Sequence, residues 1–241
     1  MAKNIKSKEP HALFKSLIAL LLIAGCFWAS QWQFQRGIDR HQRNSNIESA
    51  LSKSTVALEE IHSDYEAVEW RTVDAIGTLD AKNQILLKNR YFEGVYGYEV
   101  LTRFKLRDGR ELWLDRGWVK AGKDAKTAPV IGEIPEGEVS ISARLRLDRS
   151  LPQGAFFALP ATGAGMISKL NAQSGLKSEG FYLDLISGSD PLLNPKVGAQ
   201  VPELSDGPHL AYALQWIFFS GLIGYGRVLV RRGQILTSKE L

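Results

Sequence analysis

Residues 207–226 read GPHLAYALQWIFFSGLIGYG, an uncharged run of 20 residues between Asp206 and Arg227. A second uncharged run of 20, SLIALLLIAGCFWASQWQFQ, fills residues 16–35 between Lys15 and Arg36. At about 1.5 Å of rise per residue, each forms a helix that covers roughly the 30 Å of a bilayer core. The pattern predicts transmembrane helices at 16–35 and 207–226, with residues 36–206 as one domain between them. Trp28 and Trp32 fall towards the later end of the first run, where amphipathic rings favour the headgroup layer. Trp216 lies mid-segment and does not follow that rule.

The charge supports this organisation. The net charge is +4. Lys3, Lys6, Lys8 and Lys15 against Glu9 give +3 over residues 1–15, and Arg227, Arg231, Arg232 and Lys239 against Glu240 give +3 over 227–241. The rest carries −2, so the basicity sits in two short tails and excludes a basic nucleic-acid-binding domain. Short Lys/Arg-rich flanks stay cytoplasmic, which predicts both tails inside and the 36–206 domain on the opposite face. The N-terminus has no arginine- and serine-rich presequence, so the expected membrane is the bacterial inner membrane. A rival reading takes Ile23-Ala24-Gly25-Cys26 as a lipoprotein cleavage signal with Cys26 acylated. Against it, the uncharged run continues nine residues past Cys26.

With 44% hydrophobic and 23% charged residues in 241, the chain is globular in composition rather than disordered or fibrous. A single cysteine excludes a disulfide framework, and His11, His41, His62 and His209 lack the spacing of a helical zinc site. From 36 to about 53 the first helix is expected to continue as a connector with a narrow apolar face at Ile38, Ile47 and Leu51. His41 and His62 are expected in solvent. Beyond it the period changes to two. VEWRTVDAIGTL (68–79), QILLKNR (84–90), GYEVLTRFKL (97–106), ELWLDRGWV (111–119) and VSISARLRL (139–147) read as strands. Asp108-Gly109 predicts a two-residue hairpin turn. Residues 120–136 read as a loop, Phe156–Leu159 and Phe181–Leu185 as short strands, and 166–173 as a small helix. The fold class is therefore α+β: two transmembrane helices flanking an antiparallel, β-rich domain resembling an open barrel.

Phosphate-binding loops, nucleophile elbows, zinc-protease helices and Cys-x-x-Cys pairs are absent from the sequence. Gly163-Ala164-Gly165 reads as a turn before the small helix. Asp115 and Arg116, adjacent on a strand, point to opposite faces and suggest an anchoring ion pair or turn contact rather than acid–base chemistry. No enzyme is expected. His209 stands out, at the edge of the second span directly after Pro208, which suits the first turn of a helix. An ionisable group at that depth is a candidate functional residue, and imidazole is an axial ligand for haem iron. Tyr212 and Trp216, three and seven residues on, are expected on the same helical face. The other reading of His209 is an interfacial residue that caps the helix.

Three blocks resemble the surfeit locus protein 1 family of cytochrome c oxidase assembly factors. They are Trp32-Gln33-x-x-Arg36-x-x-x-Arg40, the strands from Gly77 to Trp118, and Pro208-His209-Leu210-x-Tyr212-Ala213-x-Gln215-Trp216. The sequence departs from the family at Arg40, where lysine is usual, at Ser30, where glycine is usual, and at Arg103, where proline is typical. The Ser30 change puts close helix packing in question, and Arg103 is expected at a strand edge. The resemblance implies an assembly factor that assists delivery of haem a to oxidase subunit I. Haem a synthase is the implied donor. His209 is then the implied iron ligand at the outer ends of the helices. Arg36 is read either as a partner for a haem propionate or as a snorkelling residue, and Trp32, Tyr212 and Trp216 as neighbours of the macrocycle. The alternative is a membrane scaffold that stabilises immature subunit I without holding haem.

Overall fold

The computed structural model describes residues 9–123, 127–148 and 165–237. The chain divides into two compact units, one formed by residues up to Asn46 with those from Glu203, the other by Ile47–Pro202. These divisions fall inside the 36–206 interval that the charge pattern marks.

The first unit is a pair of helices. α1 (Ala12–Ser52) is one helix of 41 residues, about 60 Å long, in which the apolar run passes without a break into the polar connector. It begins after Pro10 and His11, where proline cannot be continued backwards into the helix. Its polar part is braced by side-chain bonds one turn apart, Gln35 to Asp39 and Gln42 to Asn46. α3 (His209–Thr237) begins after Gly207, whose φ of +67° needs glycine, and its first backbone bond runs from the Tyr212 N–H to the Pro208 carbonyl. Both helices are long and apolar enough to cross a membrane, and their apolar windows are almost wholly unburied within the protein. Leu13, Leu20, Leu21, Trp28, Leu214 and Phe218 all face outward. Water does not tolerate that much contiguous apolar surface, and a bilayer requires it. This is a membrane protein.

The helices meet along small and polar side chains. Ala19, Cys26, Ser30, Gly37 and Asn44 are the buried positions of α1 up to residue 46, and Ala213 and Ser220 those of α3. On α1 the spacings are seven, four, seven and seven, the seam of two helices packed side by side. Small residues let backbones approach where lipid supplies no hydrophobic drive between helices. Ser30 Oγ donates to the Ala213 carbonyl at 2.9 Å, so serine at this position does not hold the helices apart. Arg227 closes one end of the pair on the Glu9 carboxylate, Ser16 Oγ and the Ala12 carbonyl.

The second unit is the barrel-like domain. Its strands are β1 (Val56–Ala57), β2 (Thr72–Phe92), β3 (Val95–Leu106), β4 (Glu111–Lys120), β5 (Glu138–Leu147) and β6 (Phe181–Gly188), in the order β1-β2-β3-β4-β6-β5. Pairing of β2 with β5 closes β2 to β6 into a five-stranded ring. The β4–β6 and β1–β2 pairs are parallel and the others antiparallel. The two strands predicted at 68–79 and 84–90 are one strand of 21 residues, bent by irregularities at Asp80–Gln84 and Leu87–Arg90. At the first bend the Asp80 carboxylate accepts from the Lys82 N–H and Asn83 Nδ2, a local turn inside the strand. The β3–β4 turn is one residue longer than predicted. Leu106 pairs with the Arg110 carbonyl around Arg107-Asp108-Gly109, with Gly109 at φ +91°. Residues 120–123 and 127–136 carry no strand beyond the end of β4, as expected. The expected strand at Phe156–Leu159 lies outside the described residues.

Period-two alternation sends Val73, Ala75, Phe104, Leu112, Leu114, Ile141, Leu145, Phe181 and Leu183 into the barrel core. The other face of β3, β4 and β6 is also covered. α2 (Met166–Ser174) packs Met166, Ile167 and Leu170 against Leu101, Trp113 and Tyr182. Burial on both faces explains why ELWLD and FYLDL read as nearly continuous apolar runs. Arg103 is not at an edge. It lies in the middle of the sheet order, buried, bonded to Glu111 and to the Lys177 carbonyl at 2.5 Å.

Candidate functional site

His209 is the first residue of α3, and its ring lies half-buried against α1. Its Nδ1 is 2.9 Å from Oε1 of Gln33. One turn further along α1 is Gly37, where an added Cβ would sit 3.2 Å from Leu210 Cδ2 and 3.4 Å from His209 Cβ. An alanine fits here if Leu210 gives by a few tenths of an ångström, whereas a larger side chain would hold the start of α3 away. The segment entering α3 is held as well. Arg40 Nε donates to the Ser205 carbonyl at 2.6 Å, while His41 and Asn44 reach the two oxygens of Asp206 at 2.9 and 3.1 Å. The bond from His41, then that from Asn44, holds the Asp206 carboxyl below its ordinary range. His41, expected in solvent, is exposed but paired; His62 is exposed.

The predicted site residues separate. His209 and Trp216 both turn partly inward along α3, with Trp216 set edge-to-face on Phe219. Tyr212 is 46% exposed, so the three-residue spacing leaves it on the flank rather than in the seam. Trp32 is 48% exposed, and the Arg36 guanidinium lies over its ring at 5.5 Å from the centroid. Trp32 and Arg36 pair with each other and not with His209. The residue brought to His209 is Gln33, quoted in the first block but given no role. Its signal was available: Gln33, Gly37, Arg40 and Asn44 recur at intervals of four, three and four, a seam written in polar and small residues.

An imidazole with Nδ1 bonded to a carbonyl-type oxygen carries its proton there and leaves a lone pair on Nε2. No hydrogen-bond partner for Nε2 exists among the described residues. His209 can therefore ligate a metal centre, and Arg36, with no carboxylate partner among the described residues, can meet an acidic substituent.

A second polar cluster lies on the outer face of the barrel. Asp115 of β4 and Asp184 of β6 are register partners on adjacent parallel strands, both buried. Asp184 is met by Arg146 at 2.7 Å and Arg144 at 3.6 Å, and Glu99 by Arg90 at 2.6 Å. The Arg146 guanidinium lies 3.5 Å from the centroid of the Trp70 ring. Asp115 accepts the Gly117 N–H at 2.8 Å and has no cation in direct contact among the described residues. Arg116 turns the other way, to Gln84 and the carbonyls of Gly132 and Glu133, so the two neighbours point to opposite faces as expected, and the Asp115–Gly117 bond is a turn contact. Burial, then the Glu99 and Asp184 charges, push the Asp115 carboxyl well above the ordinary aspartate value of 3.8. These groups line a cavity of about 240 Å³ with Leu87 and Met166, and its lining includes no serine, cysteine or histidine. The cluster gathers three carboxyl groups with arginines and the Tyr182 side chain around one cavity.

The model of the SURF1 family matches residues 20–221, which include α1 from Leu20 onward, the barrel and the first half of α3. The chain belongs to the SURF1 family. SURF1-like proteins of Mycobacterium bovis and Mycobacterium tuberculosis are each 27% identical over 243 residues, covering 93% of this chain and 87% of their own length. A SURF1-like protein of Drosophila melanogaster is 24% identical over 227 residues, covering 86% of this chain and 74% of its own. Family membership supports a role in cytochrome c oxidase assembly, and Gln33, Gly37 and His209 all fall inside the matched SURF1 region.

Proposed function

We propose that this protein holds haem a transiently at one end of its helix pair and passes it to subunit I of cytochrome c oxidase. His209 Nε2 binds the iron, Arg36 meets a propionate, and Trp32, Tyr212 and Trp216 flank the macrocycle. Haem a synthase is the donor. The protein spans the bacterial inner membrane twice, with both tails cytoplasmic and the barrel domain outside. It acts without catalytic turnover, and release is part of the task, so a single protein ligand suits it better than a closed cage.

One observation carries this reading: a histidine at a helix start in a membrane protein, one ring nitrogen held and the other unengaged. The exposed Arg36 beside the exposed Trp32 supports it, because a propionate needs an unpaired cation at the membrane surface. The test is the optical spectrum of the full-length protein, co-produced with a haem a pathway and purified in mild detergent, beside His209→Ala. A haem a band that weakens or shifts in the variant is expected. A colourless wild type, with haem a available in the same cells, sinks the reading.

The scaffold alternative draws on the same hydrogen bond. Gln33–His209 is then one helix contact among several, beside Ser30–Ala213 and the hold of Arg227 on Glu9, and it needs no cargo. In that case His209→Ala leaves oxidase assembly close to normal, while disruption of the barrel domain abolishes it.

A further inference from the structure

The Gln33–His209 contact settles more than the position of a side chain. With the Gln33 amide oxygen turned to the ring, 2.9 Å from Nδ1, the contact fits a proton on Nδ1. An unrestrained neutral imidazole prefers its proton on Nε2, which would block that atom as a ligand. Metal-binding histidines commonly donate their other N–H to a carbonyl or carboxylate that fixes tautomer and ring orientation. Here the acceptor comes from the opposite helix, 176 positions away in sequence. Its place is secured by the close approach at Gly37 and by the hold of Arg40 and Asn44 on residues 205 and 206. The His209 ring and its acceptor thus meet across the α1–α3 pair.

We infer that Gln33 is the positioning residue of the His209 site: its amide oxygen keeps the ring proton on Nδ1 and presents Nε2 to an incoming haem iron. This rests on the reading of His209 as a ligand, and it adds that ligand competence depends on the helix pairing. A movement of α1 against α3 that breaks the Gln33 bond would free the ring to turn and to change tautomer, weakening its hold on iron. Capture and release then have a structural handle within the helix pair.

The experiment uses full-length protein in detergent with ¹⁵N-labelled histidine, and His209→Ala to assign the ring signals. Long-range ¹⁵N–¹H correlation spectra report the tautomer without any haem present. The wild type is expected to show His209 protonated on Nδ1. Gln33→Leu should move the population towards the Nε2-protonated form, and Gln33→Glu, whose carboxylate also accepts from Nδ1, should retain the wild-type pattern. Haemin is then titrated into the same samples. Gln33→Leu should lower its affinity roughly 10–100-fold, the usual scale for loss of such a partner. Gln33→Glu should bind with a lower iron midpoint potential, because a carboxylate makes the imidazole a stronger donor. A helix clamp that serves no ligand shifts the tautomer but leaves haemin affinity and midpoint potential at the wild-type values. If the tautomer is the same in wild type and Gln33→Leu, the inference is overturned whatever haemin does. If it responds to Gln33 but His209→Ala binds haemin as the wild type does, the ligand reading itself falls, and Gln33 is a helix contact only. A melting curve on each variant separates these outcomes from misfolding, and Gln33→Glu keeps the question answerable if Gln33→Leu does not fold.

Discussion

At Asp115 two aspartates occupy neighbouring positions of parallel strands, and like charges side by side in a sheet repel. Asp184 has arginines at 2.7 and 3.6 Å; Asp115 has a backbone N–H. Its raised pKa means that the folded protein binds this proton more tightly than the unfolded chain does. The group's contribution to stability is thus greatest at acid pH and is lost as pH rises from the ordinary 3.8 through the folded value. Asp184 and Glu99, raised by burial first, act in the same direction. Asp115→Asn keeps an oxygen for the Gly117 N–H and removes the titration. It should raise the melting temperature at pH 8 by several degrees and flatten its fall as pH rises above the ordinary 3.8, where each kcal/mol corresponds to roughly 2–4 °C. A variant that melts below wild type at pH 8 would contradict this. None of this was legible beforehand. The sequence shows Asp115 next to Arg116, and strand geometry separates neighbours correctly, but it gives no sign of which face a helix will cover. His209 was legible because an ionisable group at the edge of an apolar run is unusual, whereas Gln33 shows only through its recurrence with Gly37, Arg40 and Asn44 along one helical face, which a reading for apolar residues passes over.

Among the elements, the helices were legible from apolar length and the inner faces of the strands from period two. What connects the helices was not. On the polar part of α1, from residue 36, the apolar stripe is only Ile38, Ile47 and Leu51, and Ile38 proves exposed. In lipid, apolar residues turn outward and small ones turn inward, so the seam lies on the face that a hydrophobicity pattern discards. The seam makes a graded prediction at Gly37. Gly37→Ala places its Cβ against the flexible end of Leu210 and gains helix propensity, so it should be neutral or slightly stabilising. Gly37→Val branches at that Cβ into His209 and Leu210, and should weaken the helix pair by about 1–3 kcal/mol, the usual cost of overpacking. Denaturant-driven separation in detergent, followed by tryptophan fluorescence, measures both. Equal behaviour of the two variants would show that the backbones do not approach at Gly37. The merging of two predicted strands into β2 has a different cause: the polar stretch around Asp80–Asn83 reads as a loop but is a turn contained within the strand.

For the molecule as a whole, the two units have separate means of stability, a ring closed around its own core and a helix pair that needs lipid. Residues 47–202 expressed alone should be soluble, show dispersed amide signals and melt cooperatively. They should leave the haemin spectrum unchanged, whereas the full chain alters it. An insoluble or molten fragment would mean that the barrel depends on the helices. The ring also fixes an order of events in time. β2 is made early, but the strand that closes the ring on it, β5, starts at Glu138. β6, which bridges β4 and β5, is not complete until Gly188. As the chain leaves the ribosome, β2, β3 and β4 can pair locally as a meander, yet their inner face has no lid until β5 and then β6 have followed. Contacts of such sequence separation close slowly and leave open edges exposed meanwhile. The nascent domain therefore passes through a window in which proteases and aggregation compete with closure, and a chain truncated before β6 should be degraded rather than accumulate as a smaller barrel.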